Sequence, residues 1–288
     1  MTIRHRTLFF AAYALCLVAV NARVVGALVD LSLHDSTASH HVIVPFISLA
    51  LIYRSRDLIF RDTESDRWSG SLIVLAGSIL ALAAPGLSAA PLSRDALSLK
   101  VAALVVQIGG GFLLVYGRRA AAAAIFPLIF LAAVVPFPST VLSAATLFLK
   151  SGSAEAVSGL FTLTGMPFHR EGFVFALPQF VIEIADNCSG IRSSIALLLT
   201  AALAAHLFLS TRWRQALLLI AILPIAIVKN AIRIVGLSLL AVHVDRGFLH
   251  GQLHNEGGIV FFLLALAILT PLLTILRNSE PATSSTSY

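Results

Sequence analysis

Three short stretches of this chain carry side chains that chemistry could use. The first is Glu183-Ile184-Ala185-Asp186-Asn187-Cys188-Ser189-Gly190-Ile191-Arg192-Ser193-Ser194, which runs directly into a long apolar block. A cysteine at the amino-terminal end of a helix sits near the positive end of the helix dipole. That position favours thiolate over thiol and makes a competent nucleophile. Beside this stands a bland reading of Cys188 as a small buried filler, the usual fate of a free cysteine. The second stretch is Lys229-Asn230-Ala231-Ile232-Arg233, inside another apolar block. Arginine cannot shed its charge, so Arg233 needs an anion, a cluster of carbonyls or water. In such a place it would stabilise a thiolate or the oxyanion of a tetrahedral intermediate. A structural arginine, paired with Glu183 or Asp186 or reaching out to headgroups, explains it equally well. Asn230 suits hydrogen bonding between helices. The third stretch is the loop 242–258, with His243, His250, His254 and Glu256. A histidine there could take a proton from a thiol and return it to a leaving amine. His250 and His254 are four apart but lack an obvious third ligand, even with His40 and His41 on the same side, so no metal site is expected. No nucleotide, flavin or metal motif occurs, and no cofactor is expected.

The elements that must position these groups are membrane helices. Of the 288 residues 58% are apolar and only 12% charged, with a mean hydropathy of +0.93. A soluble chain carries about 25% charge, so this one lacks the polar surface for a water-facing shell. The apolar blocks are 8–29, 42–53, 72–90, 101–116, 120–136, 191–209, 216–242 and 259–276. None has the two-residue alternation of a barrel strand, and helices satisfy their own backbone in lipid. An all-α polytopic membrane protein of about eight spans follows, with residues 1–276 as one helical domain and 277–288 as a disordered tail. The net charge of +6 is dispersed between apolar blocks and forms no basic face, so no nucleic-acid partner is expected. Cys16 and Cys188 are too few for a disulfide framework.

Orientation follows from the cationic residues near the span ends. With the amino terminus inside, Arg4, Arg6, Arg54, Arg56, Arg61, Arg67, Arg118, Arg119, Arg212, Arg214 and Arg277 are cytoplasmic, eleven in all. Six fall outside: Arg23, Arg94, Lys100, Lys150, Arg170 and Arg246. Both termini are therefore expected in the cytoplasm. Arg4 and Arg6 ahead of an apolar run ending in Val20-Asn21-Ala22 also fit a secretory signal peptide, without changing the side of any later loop. Residues 141–164 mix apolar positions with Lys150, Ser151, Ser153 and Glu155, which suits a helix in the outer interface. Residues 172–184 are rich in Phe, Val and Ile around Pro178-Gln179 and read as two short strands joined by a turn. Together they form a small cap on the outer face, which either pairs with an extended peptide or only shields the site. Parity brings Cys188, Arg233 and the loop histidines to that same face.

Taken together these residues resemble the exosortase/archaeosortase family of membrane-embedded cysteine transpeptidases. The resemblance rests on Cys188-Ser189-Gly190-Ile191-Arg192 at the start of a helix and Asn230-Ala231-Ile232-Arg233-Ile234 in the next span. His254, with Gly258 four residues on and Phe262 eight on, completes it. It implies cleavage of carboxy-terminal sorting signals on exported proteins, each a short motif, a transmembrane helix and a basic cluster. It also implies an acyl-enzyme on cysteine and transfer to an acceptor outside the cytoplasmic membrane. By the resemblance Cys188 is the nucleophile, Arg233 the oxyanion partner and His254 the acid/base, with His250 its rival. Ser189, Gly190, Arg192 and Asn230 would contact substrate. Membrane lipid is the other expected partner. Two readings from other classes remain: a transporter or channel using Arg233, Lys229 and the outer histidines, and a non-catalytic membrane scaffold.

Overall fold

The structure is a computed structural model that describes residues 2–84, 93–245, 247 and 258–280. Its helices in chain order are α1 (Ile3–Val20), α2 (Ala22–His34), α3 (Val44–Arg54), α4 (Arg56–Ile59), α5 (Arg67–Ala83) and α6 (Arg94–Ala123). They continue with α7 (Ile125–Leu131), α8 (Ser139–Leu163), α9 (Ile191–Phe208), α10 (Arg212–His243) and α11 (Gly258–Asn278). Among the described residues five of these, α1, α6, α9, α10 and α11, are long and apolar enough to cross a bilayer. The number is six if Ile125–Val134 and Ser139–Leu163 count as one bent span.

Among the described residues the eight apolar blocks give five or six helices that meet the length and composition of a span, and the rest fall short for local reasons. The first block breaks at Asn21, whose backbone leaves the helical region (φ −98°, ψ 24°). Its side-chain amide donates to the Leu17 carbonyl at 2.9 Å. Helix α3 has 11 residues, roughly 16 Å of rise against a hydrocarbon core of about 30 Å. Helix α5 has 17 residues and also stops short. The fourth block and the start of the fifth share α6, which turns at Gly117 (φ +85°). There the Glu64 carbonyl lies where a Cβ would stand, 1.5 Å from it, so only glycine fits. The last three blocks form α9, α10 and α11 within a few residues of the expected ends.

The chain divides into two compact units, Met1–Val141 and Leu142–Tyr288. In the first, α5 and α6 run against each other through close-approach glycines. A Cβ on Gly70 would lie 2.5 Å from the Leu114 Cα, and one on Gly110 would lie 2.8 Å from the Val74 nitrogen. Phe10, Phe60, Phe112 and Tyr116 close this unit with edge-to-face and tilted ring contacts 4.7–6.4 Å apart. Asp35 accepts from Arg94 and from the Thr37 backbone. His41, 2% exposed, packs on the His40 ring near the Ala133 carbonyl.

In the second unit α9, α10 and α11 share an apolar core that includes Leu197, Ala201, Leu218, Ile222, Ala265 and Leu269. Helix α8 meets the carboxy-terminal half of α10 through small residues. A Cβ on Gly152 would press within 2.7 Å of Ile227 Cδ1. The expected strand pair is a three-stranded antiparallel sheet, β1 (His169–Glu171), β2 (Val174–Ala176) and β3 (Val181–Glu183), in the order β1-β2-β3. The extra strand β1 is polar and carries no apolar alternation. It forms because Gly172 takes a left-handed turn (φ +61°) and folds it back on β2, pairing Arg170 with Phe175. The inner face of the sheet, with Phe175 fully buried, packs on Val157 and Phe161 of α8 and on Ala231 and Val235 of α10. Two cations fasten the sheet to α8. Arg170 binds Glu155 at 2.8 Å and lies over the Phe175 ring, and Lys150 lies 4.5 Å from the centre of the Phe173 ring.

Candidate active site

Cys188 closes a single 3-10 turn, Asp186–Cys188, just before α9. Its N–H donates to the Ala185 carbonyl at 2.8 Å. Lys150 pairs with Asp186 at 3.0 Å and so ties this turn to α8. Two residues later Gly190 is the N-cap of α9 and takes a left-handed conformation (φ +80°). A Cβ there would also lie 3.1 Å from the Asn230 side-chain oxygen. The missing Cβ leaves Asn230 room without displacement, and the backbone sign requires glycine here. The turn it makes lets the chain present Cys188 beside the helix start and not within the helix.

Asn230 anchors this turn from α10. Only 1% exposed, it donates its amide to the Cys188 carbonyl at 2.9 Å and to Ser153 Oγ of α8 at 3.0 Å. The side-chain oxygen of the same residue is buried without a hydrogen-bond partner among the described residues. Next to it Lys229, 2% exposed, donates to Ser193 Oγ. The Ser193 and Ser194 hydroxyls in turn donate to the Gly190 carbonyl at 3.0 and 2.8 Å. Buried polar groups are expensive unless satisfied, and apart from the Asn230 side-chain oxygen these are paired around Gly190 and Cys188.

Cys188 is half-buried and opens on a cavity of about 320 Å³. One wall is β3 with Ile184 and Ala185; the other is Arg233, Ile234, Leu237 and Ser238 of α10. Asn230, Arg233, Ile234, Leu237 and Ser238 fall at i, i+3, i+4, i+7 and i+8, a single helical face. One face of α10 therefore holds the Cys188 carbonyl at one level and lines the cavity with a cation one turn further on. The structure brings Cys188 and Arg233 together as the sequence leads one to expect. Ser189 and Gly190 are buried and Arg192 is exposed; with Asn230, they stand outside the cavity lining. His250 and His254 lie outside the described residues, and His243 ends α10 in an exposed position.

Sequence reasoning missed Ser153, Ser193 and Ser238. Ser238 was available as the continuation of the stripe begun by Asn230, and Ser153 stands in a run of small residues, Gly152-Ser153-Ala154, suited to close helix approach. Ser193 gave no signal beyond its place in the first turn of α9. Among the described residues no cluster of three or more potential metal ligands occurs.

No curated protein and no solved structure matches the chain. A family model does: transmembrane exosortase, matched over residues 32–270, a stretch that takes in the whole cavity. Such membership supports a multi-pass membrane transpeptidase or protease in general terms. The match covers well over half of the chain, which therefore belongs to the transmembrane exosortase family.

Proposed function

We propose that this protein is a cysteine transpeptidase of the cytoplasmic membrane that cleaves carboxy-terminal sorting signals from exported proteins. The observation that carries the reading is the shared cavity. A nucleophile and a permanently charged guanidinium line one small pocket at the start of α9. The substrate's transmembrane helix lies in the bilayer and delivers its motif to this pocket. The Cys188 thiolate attacks the scissile carbonyl carbon, and the oxyanion that forms is stabilised by Arg233. Collapse of this intermediate breaks the C–N bond. The departing amine takes a proton, a task we give to His254, and leaves a thioester on Cys188. An acceptor amine, hydroxyl or water then gives up its proton to the now neutral His254 imidazole, attacks the thioester carbonyl and releases the thiolate, which restores both groups. Cys188 opens to the extracytoplasmic side, and both termini are cytoplasmic.

The network behind Cys188 supports this chemistry by fixing geometry. Asn230 holds the Cys188 carbonyl, and the Lys229–Ser193–Gly190 chain holds the turn that follows. Reacting groups misplaced by about 1 Å cost roughly 100-fold in rate. The test is Cys188→Ala in the full-length protein. Processing of a co-expressed reporter with a sorting tail should fall to background while the enzyme still reaches the membrane at its normal level. Unchanged processing would overturn the assignment.

A further inference from the structure

The two walls of the cavity differ in kind, and the difference bears on how substrate is held. The α10 wall is made of side chains. The β3 wall is an edge strand, with a neighbour in the sheet on one side only among the described residues. The strand register fixes which of its backbone groups face outward. The Ile184 N–H donates to the Phe173 carbonyl, and the Leu177 N–H donates to the Phe180 carbonyl. Antiparallel pairs alternate between bonded and non-bonded, so the Phe175–Ile182 pair, midway in the same register, is a bonded one. Ile182 therefore spends its N–H and carbonyl on β2, while those of Val181 and Glu183 point away from the sheet. The Glu183 carbonyl accepts from the Ala185 N–H at 3.0 Å. That leaves the Val181 N–H and carbonyl and the Glu183 N–H directed outward, along a strand whose residues line the cavity that holds Cys188.

We infer that β3 is the template for the substrate: the residues around the scissile bond add to its free edge as a fourth strand and are thereby led to Cys188. A row of outward N–H and carbonyl groups at strand spacing matches the main chain of an extended peptide and nothing in a lipid tail or an already hydrogen-bonded helix. Side chains of such a strand alternate in direction. One set faces Ile234 and Leu237 on the opposite wall. Among the described residues the lining includes one acidic residue, Glu183 of β3, and one basic residue, Arg233 of α10. The cavity, about 320 Å³, is at the small end of ligand pockets, which run to about 1,000 Å³, and fits a short motif. Edge pairing supplies affinity through the main chain; the pocket supplies the choice of side chain.

This inference rests on the proposed nucleophile, and its test separates the two. Proline at position 181 removes an outward N–H without touching a bond to β2, since the tolerated place for proline in a sheet is such an edge. Val181→Pro should process the tailed reporter at least about tenfold more slowly than Val181→Ala, the worth of one or more lost hydrogen bonds to a bound peptide. Equal rates for the two variants would overturn the inference. Because proline can also perturb folding, a second measurement uses intact backbone. Val181→Cys in a Cys16→Ala, Cys188→Ala background traps the uncleaved reporter, into which single cysteines are placed along the tail motif. Disulfides should form at alternate reporter positions, the period of a paired strand. Formation every three to four positions, or nowhere, would sink edge pairing. If Cys188→Ala itself still processed the reporter, the catalytic reading would fail instead, whatever the cross-linking pattern.

Discussion

Helices α5 and α6 meet through glycines, whereas α10 meets α8 and the start of α9 through buried polar side chains. At the first seam Gly70 sets backbone against Leu114 and Gly110 sets it against Val74. Backbone contact is close, the ordinary way membrane helices pack when no hydrophobic force separates lipid from protein, and the polar contacts across it, Gln107 to Ser78 at 3.0 Å and Arg118 to Ser69 at 2.6 Å, join side chain to side chain and hold no backbone turn. At the second seam Lys229 and Asn230 lie buried on α10 and reach Ser193, Ser153 and the Cys188 carbonyl. Packing could have been had there with alanine or leucine at lower desolvation cost. The lesson is that the two seams serve different ends: one holds helices together, and the other holds a particular backbone turn still. Polar groups retained at such expense mark where geometry matters for chemistry.

Substitutions at the two seams should have different consequences. The largest effect after loss of the proposed nucleophile belongs to Asn230→Ala. We expect processing to fall about 100-fold, in line with loss of positional control, while thermal stability drops by only about 1 kcal/mol, typical of one interhelical polar contact in a membrane. The pair of readouts is processing of the tailed reporter and unfolding of the detergent-solubilised protein. If stability fell as far as activity, the polar seam would be no different in kind from the glycine seam. Gly70→Val gives the converse case. Its added carbons meet the Leu114 backbone, and overpacking of this sort costs about 1–3 kcal/mol. Melting temperature should drop, while the processing rate per folded molecule stays level. A rate that fell in proportion to nothing in the melting curve would tie the glycine seam to the chemistry.

The smallest effect is a pH dependence that His41 brings to the first unit. Burial, reinforced by the charge of neighbouring His40, lowers His41 from its ordinary 6.5 to about 4. The folded protein therefore binds fewer protons at this ring than the unfolded chain between those two values. Stability is fully present above pH 6.5 and is lost as pH falls toward 4. Going from pH 6.5 to 5.5 should cost about 1 kcal/mol. Chemical denaturation at the two pH values checks this, and His41→Gln should shrink the difference. A wild-type loss that the substitution leaves intact would place the acid sensitivity elsewhere.

Much of the site was legible one residue at a time. Cys188 before a long apolar block announces a thiol at a helix start, and Arg233 in the middle of an apolar run announces a charge that needs a partner. Both are local signals, carried by composition and by the 3.6-residue period. The positions of α9, α10 and α11 follow from the same signals to within a few residues. Residues 120–136 mislead because an apolar run does not say whether its helix stays unbroken. Residues 42–53 are already short in the sequence, able to span only by recruiting residues upstream of His41, and α3 is a helix of 11 residues, Val44–Arg54. Strand β1 has no apolar alternation and exists only because Gly172 folds it onto β2.

By itself the sequence determined a polytopic helical membrane protein with a cysteine at a helix mouth and an arginine in the next span. Hydrophobic period and the cost of buried charge act over a few residues, so one dimension is enough to read them. Only the tertiary structure decided that Cys188 and Arg233 share one cavity, that β3 forms its other wall, and that Asn230 holds the Cys188 carbonyl. These depend on contacts between residues 42 and 77 apart in the chain. Which buried amide meets which carbonyl is fixed by how α8 and α10 pack, a property of the folded helices and of no single segment.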